Sequence, residues 1–356
     1  MNTSSIFKSA CFLLAIGLTY SATLSAQAAG PFLWATGDNG TVLHSSDGGA
    51  TWTAQTSGVT HNVIEVDFVD ANTGWALHDN FSLINTTDGG ATWNAQPGIA
   101  TPAAIDFVDA NLGWSGGNSL IGIGHTSNGG NSWTTQTNIV NPGGGKLPTG
   151  FIRDIEMIDS QNGWFFNSDN DIVRTTDGGA TWSLVNAVVP NNTKHLQFAD
   201  ALNGWSIGSS VLRTFDGGDN WVPQSASGND GDFLDANTGW IVGGGGNIEF
   251  TSNGGTTWTP QTSGVTSALR SVGFVDSLTG WAVGDNGVIL STIDGGLNWT
   301  PQVSGTSVDL LSLSVIPAPP VPEPSTLLLA GIGIVGLGLI ARRRRVQNAT
   351  PLQQCP

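Results

Sequence analysis

Apolar and polar residues alternate in short runs along most of the chain, which is the pattern of β-strands that bury one face. The clearest unit has four such runs in succession, at residues 269–276, 280–285, 287–293 and 298–302. These runs are rich in β-branched residues, and no stretch between residues 29 and 316 has helical periodicity. The pattern therefore predicts an all-β protein made of short strands joined by polar turns.

Two sequence elements alternate along the chain with a period of about forty residues, which is typical of propellers and solenoids. The first, [DN]-G-G-x-x-W, begins at Asp47, Asp88, Asn128, Asp177, Asp216, Asn253 and Asp294. The second, F-x-D-x-x-x-G-W, ends at Trp75, Trp114, Trp164, Trp205, Trp240 and Trp281, and Trp34 has the equivalent place in the first unit. Together the two elements contain all 14 tryptophans, so none is left over for a unique site.

Units of four strands in series predict a seven-bladed β-propeller with four-stranded blades. The first unit begins at Phe32 and lacks an innermost strand, whereas residues 307–316 have the pattern of an innermost strand with no blade after it. We expect this C-terminal strand to complete the first blade. Closure of the ring would then remove the open sheet edges that favour aggregation.

The Asp-Gly-Gly element is interpreted as a structural turn. Its Asp or Asn side chain is expected to accept hydrogen bonds from the backbone amides two and three residues later, and its glycines supply the unusual backbone conformations. Asn128 and Asn253 retain the acceptor oxygen without the charge, which suits a turn and would impair a catalytic acid. The tryptophan five residues later is expected to begin the outer strand and to pack between blades.

Both ends of the chain differ from the repeats. Lys8 precedes an apolar run at residues 10–18, and small residues lead to Ala28, which is the layout of a secretory signal peptide cleaved after that residue. Near the other end an apolar stretch at residues 327–341 precedes four arginines. As a helix it would span roughly 22 Å, less than the roughly 30 Å of a hydrocarbon core, with the arginines on the cytoplasmic side.

The C-terminal segment resembles the PEP-CTERM sorting signal of Gram-negative bacteria in its Pro322-Glu323-Pro324 triplet, apolar stretch and basic end, in that order. The resemblance implies an exosortase that recognises the triplet, removes the helix and directs the protein to the envelope or an exopolysaccharide matrix. Residues 346–356 extend beyond the usual end of such signals, and an ordinary single-pass anchor is the alternative. The predicted organisation is a signal peptide at 1–28, a propeller at 29–316, a sorting segment with a short transmembrane helix at 317–345 and a tail at 346–356.

The repeats resemble the Asp-box, or BNR, repeat. The fuller pattern "FVDxxxGWAVGDNGxILxTxDGGxxW" resembles the photosystem II stability and assembly factor family from Phe32 to Ile316. That resemblance implies a propeller that helps to assemble a membrane complex. Propellers of this type also occur in sialidases, xyloglucanases and sortilin-like receptors, so the fold alone does not define the function.

Charge and cysteine content restrict the partners. Residues 29–321 contain six basic and 26 acidic residues, a net charge of about −20, so nucleic acid is not an expected partner. Cys11 and Cys355 both lie in the terminal segments. The exported domain must therefore be held together by packing without disulfides.

No catalytic residue, metal or cofactor is predicted. A sialidase of the familiar kind needs a tyrosine nucleophile, but Tyr20, the single tyrosine, lies in the signal peptide. The histidines show no metal-ligand spacing, and Leu147 follows Lys146 where a phosphate-binding loop requires Ser or Thr. Most carboxylates occupy repeat positions. Six of them have the same place in a turn that recurs from unit to unit: Asp70, Asp109, Asp159, Asp200, Asp235 and Asp276. A glycan-active hydrolase is the weakest of the alternatives.

Basic residues break the repeat at one position. The innermost strands were aligned on Phe68, Phe107, Met157, Phe198, Phe233, Phe274 and Leu313. Four residues earlier the sequence has Ile64, Ala103, Arg153, Lys194, Asn229, Arg270 and Asp309. We expect the three basic residues to surround one mouth of the central channel and to bind a carboxylate-bearing glycan or an acidic protein segment. The alternative is that each pairs with a nearby acid such as Asp154 or Asp309.

The other three basic residues of the propeller, Lys146, Arg174 and Arg213, lie outside this position. Lys146 lies in the unusually long connection at residues 138–150, which is a secondary binding candidate because long loops on rigid scaffolds often carry function. Arg174 and Arg213 share a repeat position and are expected to lie over a blade surface. The sequence thus predicts an exported, non-enzymatic binding or scaffold propeller of the envelope or matrix. An assembly factor for a membrane complex is the second interpretation.

Overall fold

The computed structural model describes residues 30–97, 101–117, 122–144, 146–188 and 192–319. These residues fold into seven β-sheets. The predicted signal peptide, the Pro322-Glu323-Pro324 triplet, the predicted transmembrane helix and the tail lie outside these ranges. Within them, no helix has the length and apolar character needed to cross a bilayer. The predicted all-β, seven-bladed architecture is confirmed.

The strands follow the repeat. Blade one contains β1 (Phe32–Gly37), β2 (Thr41–Ser45), β3 (Thr53–Thr56) and the C-terminal β29 (Leu310–Ile316). Blade two contains β4 (Val63–Phe68), β5 (Gly74–His78), β6 (Leu83–Thr86) and β7 (Asn94–Ala95). Blade three contains β8 (Pro102–Phe107), β9 (Gly113–Gly117), β10 (Ile123–Thr126) and β11 (Thr134–Gln136). Blade four contains β12 (Ile139–Val140), β13 (Ile152–Met157), β14 (Gly163–Asn167), β15 (Asp171–Thr175) and β16 (Trp182–Val188).

The remaining blades complete the ring. Blade five contains β17 (Thr193–Phe198), β18 (Gly204–Gly208), β19 (Val211–Thr214) and β20 (Val222–Gln224). Blade six contains β21 (Asp230–Phe233), β22 (Gly239–Val242), β23 (Ile248–Thr251) and β24 (Thr259–Gln261). Blade seven contains β25 (Leu269–Phe274), β26 (Gly280–Gly284), β27 (Val288–Thr292) and β28 (Thr300–Gln302). Short 3-10 turns at Asp38–Gly40, Gly244–Gly246 and Asp285–Gly287 join the second and third strands of blades one, six and seven.

The antiparallel order of each blade defines two faces of the ring. The Asp-Gly-Gly turns and the turns between first and second strands lie on one face, here called the lower face. The turns between second and third strands and the connections between blades lie on the other, the upper face.

Strand β29 closes the ring as expected, because it pairs antiparallel with β1. The register corrects the sequence alignment of this blade. Trp34 lies opposite Ser314, as Trp75 lies opposite Asp67 in blade two. The residue equivalent to Phe68 is therefore Val315. The sequence alignment placed Leu313 there and was wrong by two positions, because the sequence alone does not define how β29 pairs with β1.

Blade four departs from the four-strand pattern. Residues Ile139–Val140 pair in parallel with Trp182–Ser183 and add a fifth strand at the outer edge. Trp182 is included in the outer strand and is fully buried. In the other six blades the outer strand begins after the corresponding tryptophan. Part of the long connection between blades three and four thus forms the outermost strand of blade four.

The inner tryptophans join each blade to the next. Each Nε1–H donates to the carbonyl of the first glycine of the following Asp-Gly-Gly turn, at 2.8 to 3.3 Å, from Trp34 to Gly89 and around the ring to Trp281 and Gly48. At five joints the same ring stacks on the phenylalanine of the next innermost strand, with centroids 3.5 to 3.6 Å apart. These residues are buried, so each joint combines apolar burial with a satisfied indole donor.

The Asp-Gly-Gly turn has a different hydrogen-bond pattern from the predicted one. In blade four, Thr181 N–H donates to Asp177 Oδ1 at 2.8 Å, so the acceptor serves an amide four residues later. The Thr175 hydroxyl donates to Asp177 and accepts from Gly179 N–H. Amides two and three residues later are instead bound by the acids of the other shared turn, as in Asp70 with Asn72 and Thr73. The predicted structural role is supported, but the predicted amides were wrong for this element.

Candidate functional site

The innermost strands line a central cavity of about 420 Å³. Alternate residues of each strand point into it because side chains alternate across a strand. In blade four these are Asp154 and Glu156, and in blade six Asp230 and Asp232. Blades two and three add Glu65, Asp67 and Asp106, so the described lining has seven carboxylates.

The carboxylates bind the backbone of the neighbouring blade. The innermost strand exposes an unpaired edge to the channel, and its N–H groups need acceptors. Asp67 accepts from Phe107 N–H at 2.8 Å, Asp232 from Phe274 N–H at 2.6 Å, and Asp106 from Met157 N–H. Glu65, Asp154, Glu156 and Asp230 make the same kind of bond one blade onward. These acids are therefore engaged in holding the blades together.

Neutral residues take the same role where acids are absent. Gln197 accepts from Phe233 N–H, and Ser312 and Ser314 of β29 accept from Val66 and Phe68. At the joint between blades seven and one, the position that holds Asp67 or Asp232 in other blades is Gly273. A Cβ on Gly273 would lie 2.7 Å from Val315 Cγ2. The closing strand thus fills with an apolar side chain the space that an acceptor occupies elsewhere.

Burial among other acids raises several carboxyl pKa values. Burial raises the pKa of Asp67 to about 7, of Asp232 to about 6 and of Glu156 to about 8. Burial, followed by repulsion from neighbouring acids, raises the pKa values of Glu65 and Asp106 well above their ordinary range. Part of this acidic wall is therefore protonated near neutral pH.

His195 is the counter-charge within this wall. Its Nδ1 lies 3.1 Å from Asp154 Oδ2, and its Nε2 lies 3.6 Å from Asp230 Oδ1. Burial alone would lower the pKa of His195, but attraction to Asp154 and Asp230 outweighs it and raises the pKa well above its usual value. An imidazolium between two carboxylates follows. The sequence analysis missed this group because Asp154 and Asp230 lie on the innermost strands of the two adjacent blades, and no local pattern indicates contacts between separate blades.

The structure brings Arg153, Lys194 and Arg270 together in the lining of the cavity, along with Ile64, Ala103 and Asn229 from the same repeat position. Blade one contributes Leu311 to the lining at this position, not the predicted Asp309. Asp309 instead accepts from Asn286 N–H. The register error described above is the cause.

The three basic side chains have different partners. Arg270 forms a two-pronged ion pair with Asp285, with Nε–Oδ1 and Nη2–Oδ2 distances of 2.6 and 3.0 Å. Lys194 donates to the neutral Asn229 Oδ1. Arg153 lies 5.7 Å from the Phe151 ring centroid, and among the described residues no carboxylate is within ion-pair distance of Arg153 or Lys194. The alternative, that each basic residue pairs with a nearby acid, is therefore confirmed for Arg270, although the acid is Asp285 and not Asp154 or Asp309.

Lys146 is not part of this group. Its Nζ donates to Thr149 Oγ1 at 3.0 Å, and the lysine does not line the cavity. Arg174 and Arg213 are also elsewhere, and each reaches across a joint to carbonyls of the next Asp-Gly-Gly turn. Arg213 is nearly buried between the rings of Trp205 and Phe215. Both arginines therefore clamp blades, which goes beyond the expected contact with a blade surface.

A cleft of about 510 Å³ beside Arg153 and Lys194 contains exposed aromatic residues that the sequence reading missed. Phe151 and Phe81 are 43% and 39% exposed. Phe81 has a φ of 63°, which is strained for a bulky residue. The available signal was that Asp79-Asn80-Phe81 replaces the Asp-Asn-Gly turn found in blades one and seven.

Metal binding has no geometric support in the described ranges, since no three His, Cys, Asp or Glu side chains there are arranged to hold an ion.

The mouth of the cavity offers two cations without an acidic partner among the described residues, a third that is paired, and adjacent aromatic surface. The chemistry that this arrangement can perform is the binding of an anion.

Comparisons with known proteins agree with the fold. The family described as photosynthesis system II assembly factor YCF48 matches residues 55–149 and 222–304, which is half of the chain, and a PEP-CTERM protein-sorting motif matches residues 320–345. No curated protein matches.

Solved structures also resemble the chain. A structure described as YCF48 bound to D1 peptide is 20% identical, covers 73% of this chain and 94% of its own, and has a TM-score of 0.58. YCF48 from Cyanidioschyzon merolae is 20% identical over 69% of this chain and 86% of its own, with a TM-score of 0.55. A GH74 xyloglucanase from Xanthomonas campestris is 15% identical over 77% of this chain and 47% of its own, with a TM-score of 0.54. At these identities the structural likeness shows the fold alone.

Proposed function

Because the chain belongs to the photosynthesis system II assembly factor YCF48 family, we propose that it is a non-enzymatic binding propeller whose upper mouth holds an acidic segment of a protein partner. The observation that carries the proposal is the pair Arg153 and Lys194 at the rim, for which the described part of the chain supplies no acidic partner. A bound carboxylate would supply the missing counter-charge. The description of one similar structure as bound to a peptide supports a protein ligand.

The PEP-CTERM motif indicates an exported protein that is sorted to the envelope. In our proposal the signal peptide is cleaved after Ala28, and an exosortase acts at Pro322-Glu323-Pro324 and releases the propeller from its C-terminal anchor. The partner is then a protein of the envelope or part of a membrane complex. An acidic polysaccharide of an extracellular matrix is the alternative partner, and the same cations would bind its carboxylates.

The acids of the channel argue against a glycosidase. Such an enzyme needs two carboxyl groups free to act on a sugar, whereas all seven lining carboxylates accept backbone N–H groups. Neutralising one of these carboxylates should therefore lower the stability of the propeller, and it should not abolish a hydrolase activity.

The test is a crosslinked pull-down from envelope fractions with the full-length chain and a variant carrying Arg153→Ala, Lys194→Ala and Arg270→Ala. Lys146→Ala is the matched control, because it removes an exposed cation outside the cavity. We expect the wild type and the control to capture the same acidic protein, and the triple variant to lose at least about tenfold of it, since each charged hydrogen bond contributes about 1.5–3 kcal/mol. Equal capture by the triple variant would contradict the proposal. Capture of a polysaccharide instead would favour the matrix alternative.

A further inference from the structure

A groove of about 1110 Å³ opens on the upper face between blade five, blade six and the connection from blade six to blade seven. One wall includes Gly208 and Ser209 of blade five, and the opposite wall is formed by residues 261–265 after blade six. The Gly243–Gly246 turn lies between them. This groove is larger than the cavity of the channel itself.

The local sequence of blade six explains the groove. Its innermost strand, β21, has four residues, whereas β4, β8, β13, β17 and β25 each have six. The preceding connection is only residues 225–229, compared with 262–268 at the next joint. In addition, the turn is Gly244-Gly245-Gly246, where blades one and seven have Asp-Asn-Gly. A short wall and a turn without side chains leave the space open.

The lining favours a polypeptide in extended form. Apart from Lys194 and Glu249, it consists of glycine backbone, hydroxyl and amide side chains and one large aliphatic residue, Val265, and no aromatic ring lines it. Glycines allow another backbone to approach closely, and hydroxyl and amide groups can pair with its peptide units. The lining offers no aromatic platform on which a sugar ring could stack.

The groove is continuous with the basic mouth. Lys194 and Asn229 line both cavities, and Lys194 Nζ donates to Asn229 Oδ1. The other charged residue of the groove, Glu249, accepts from Asn247 Nδ2 at 3.1 Å. A chain whose carboxylate lies at Lys194 can thus run outward over blade six.

We propose that this groove binds the extended backbone of the acidic segment, with the carboxylate at Lys194 and the adjacent residues of the segment over Gly243–Gly246. The inference rests on the proposed function, because it adds the path of the partner to the same mouth. It predicts that affinity depends on the Gly243–Gly246 turn as well as on the cations of the mouth.

Gly244 allows a clean test, because a Cβ there meets no atom within 4 Å and its φ is not in the left-handed region. Gly244→Leu should therefore fold normally while obstructing the groove. Asn80→Leu is the matched control, since Asn80 is exposed on the corresponding turn of blade two, outside the groove. Near-ultraviolet circular dichroism and thermal unfolding of all variants establish that each is folded.

The probe is a fluorescein-labelled eight-residue peptide of alternating serine and valine ending in two aspartates, and binding to the full-length chain is followed by anisotropy. We expect Gly244→Leu to weaken binding at least tenfold and Asn80→Leu to change it less than twofold. Tetragalacturonate of similar charge should compete poorly. Unchanged binding in folded Gly244→Leu, with binding lost in the triple cation variant, would overturn the groove and leave the proposed function intact. Binding of tetragalacturonate in preference to the peptide, or of neither probe, would overturn the inference.

Discussion

Single side chains in this protein are explained by the backbone groups that they satisfy. Asp177 accepts from Thr181 N–H and from the Thr175 hydroxyl, while Gly178 and Gly179 adopt positive φ. Burial would raise the pKa of Asp177, but these hydrogen bonds lower it below its ordinary value. Asn128 and Asn253 make the same contacts without a charge. The acceptor oxygen, and not the charge, is therefore what the turn requires.

Replacing Asp177 separates these two properties. Asp177→Ala removes two hydrogen bonds and should lower the free energy of unfolding by about 1–2 kcal/mol. Asp177→Asn retains the oxygen and should lower it by less than about 0.5 kcal/mol. Urea unfolding followed by tryptophan fluorescence measures both, and equal losses in the two variants would show that charge matters here.

At the scale of elements, the innermost strand has two tasks. Residues such as Val66 and Phe68 pack between blades, while the intervening Asp67 crosses to the next strand and accepts its N–H. β29 performs both tasks for blade one with residues from the other end of the described chain. Closure therefore depends on packing as well as on pairing.

Leu310 and Leu311 of β29 test this dependence as neighbours of equal size. Leu310 is fully buried between blades one and seven, whereas Leu311 lines the channel. Leu310→Ala should cost about 2–5 kcal/mol through lost burial and a residual cavity, and Leu311→Ala less than half as much. Denaturant unfolding gives the comparison. Similar losses at both positions would mean that the channel side of β29 is packed as tightly as the joint.

The sequence predicted the elements well and their contacts poorly. Seven copies of a turn and fourteen tryptophans were sufficient for blade number, strand order and closure. The position of Arg153, Lys194 and Arg270 around one cavity followed from counting within a strand. The pairing of Arg270 with Asp285 and the register of β29 did not, because both depend on distances between segments that have no local signal. The groove at Gly244 was missed because it is produced by a connection that is shorter than its counterpart at the next joint, and a shorter connection carries no motif of its own.

At the scale of the whole molecule, titration of the channel should govern stability near neutral pH. Glu156 and Asp67 have folded-state pKa values of about 8 and about 7, above those of an unfolded chain, so the native protein binds more protons. Stability is then greatest in mild acid and falls as pH rises toward those values. His195, with its raised pKa, acts in the same direction, since its charged form stabilises the ring below its folded pKa.

We expect the thermal midpoint of the full-length chain to be several degrees higher at pH about 5.5 than at pH about 8.5. Glu156→Gln keeps an acceptor for Phe198 N–H and removes the titration, so it should flatten the profile. Differential scanning calorimetry across this range measures both. A midpoint that rises with pH in the wild type would contradict the assignment of protonated acids to the channel.

The position of β29 also determines the order in which the molecule can be completed during synthesis. β1 emerges first and must wait, without its inner neighbour, until residues 310–316 have followed every other strand. Throughout that interval Leu33 and Ala35 lack the partners that bury them in the finished ring. The growing chain is therefore an open arc with two unsatisfied edges, and only its last strand converts that arc into a closed circle.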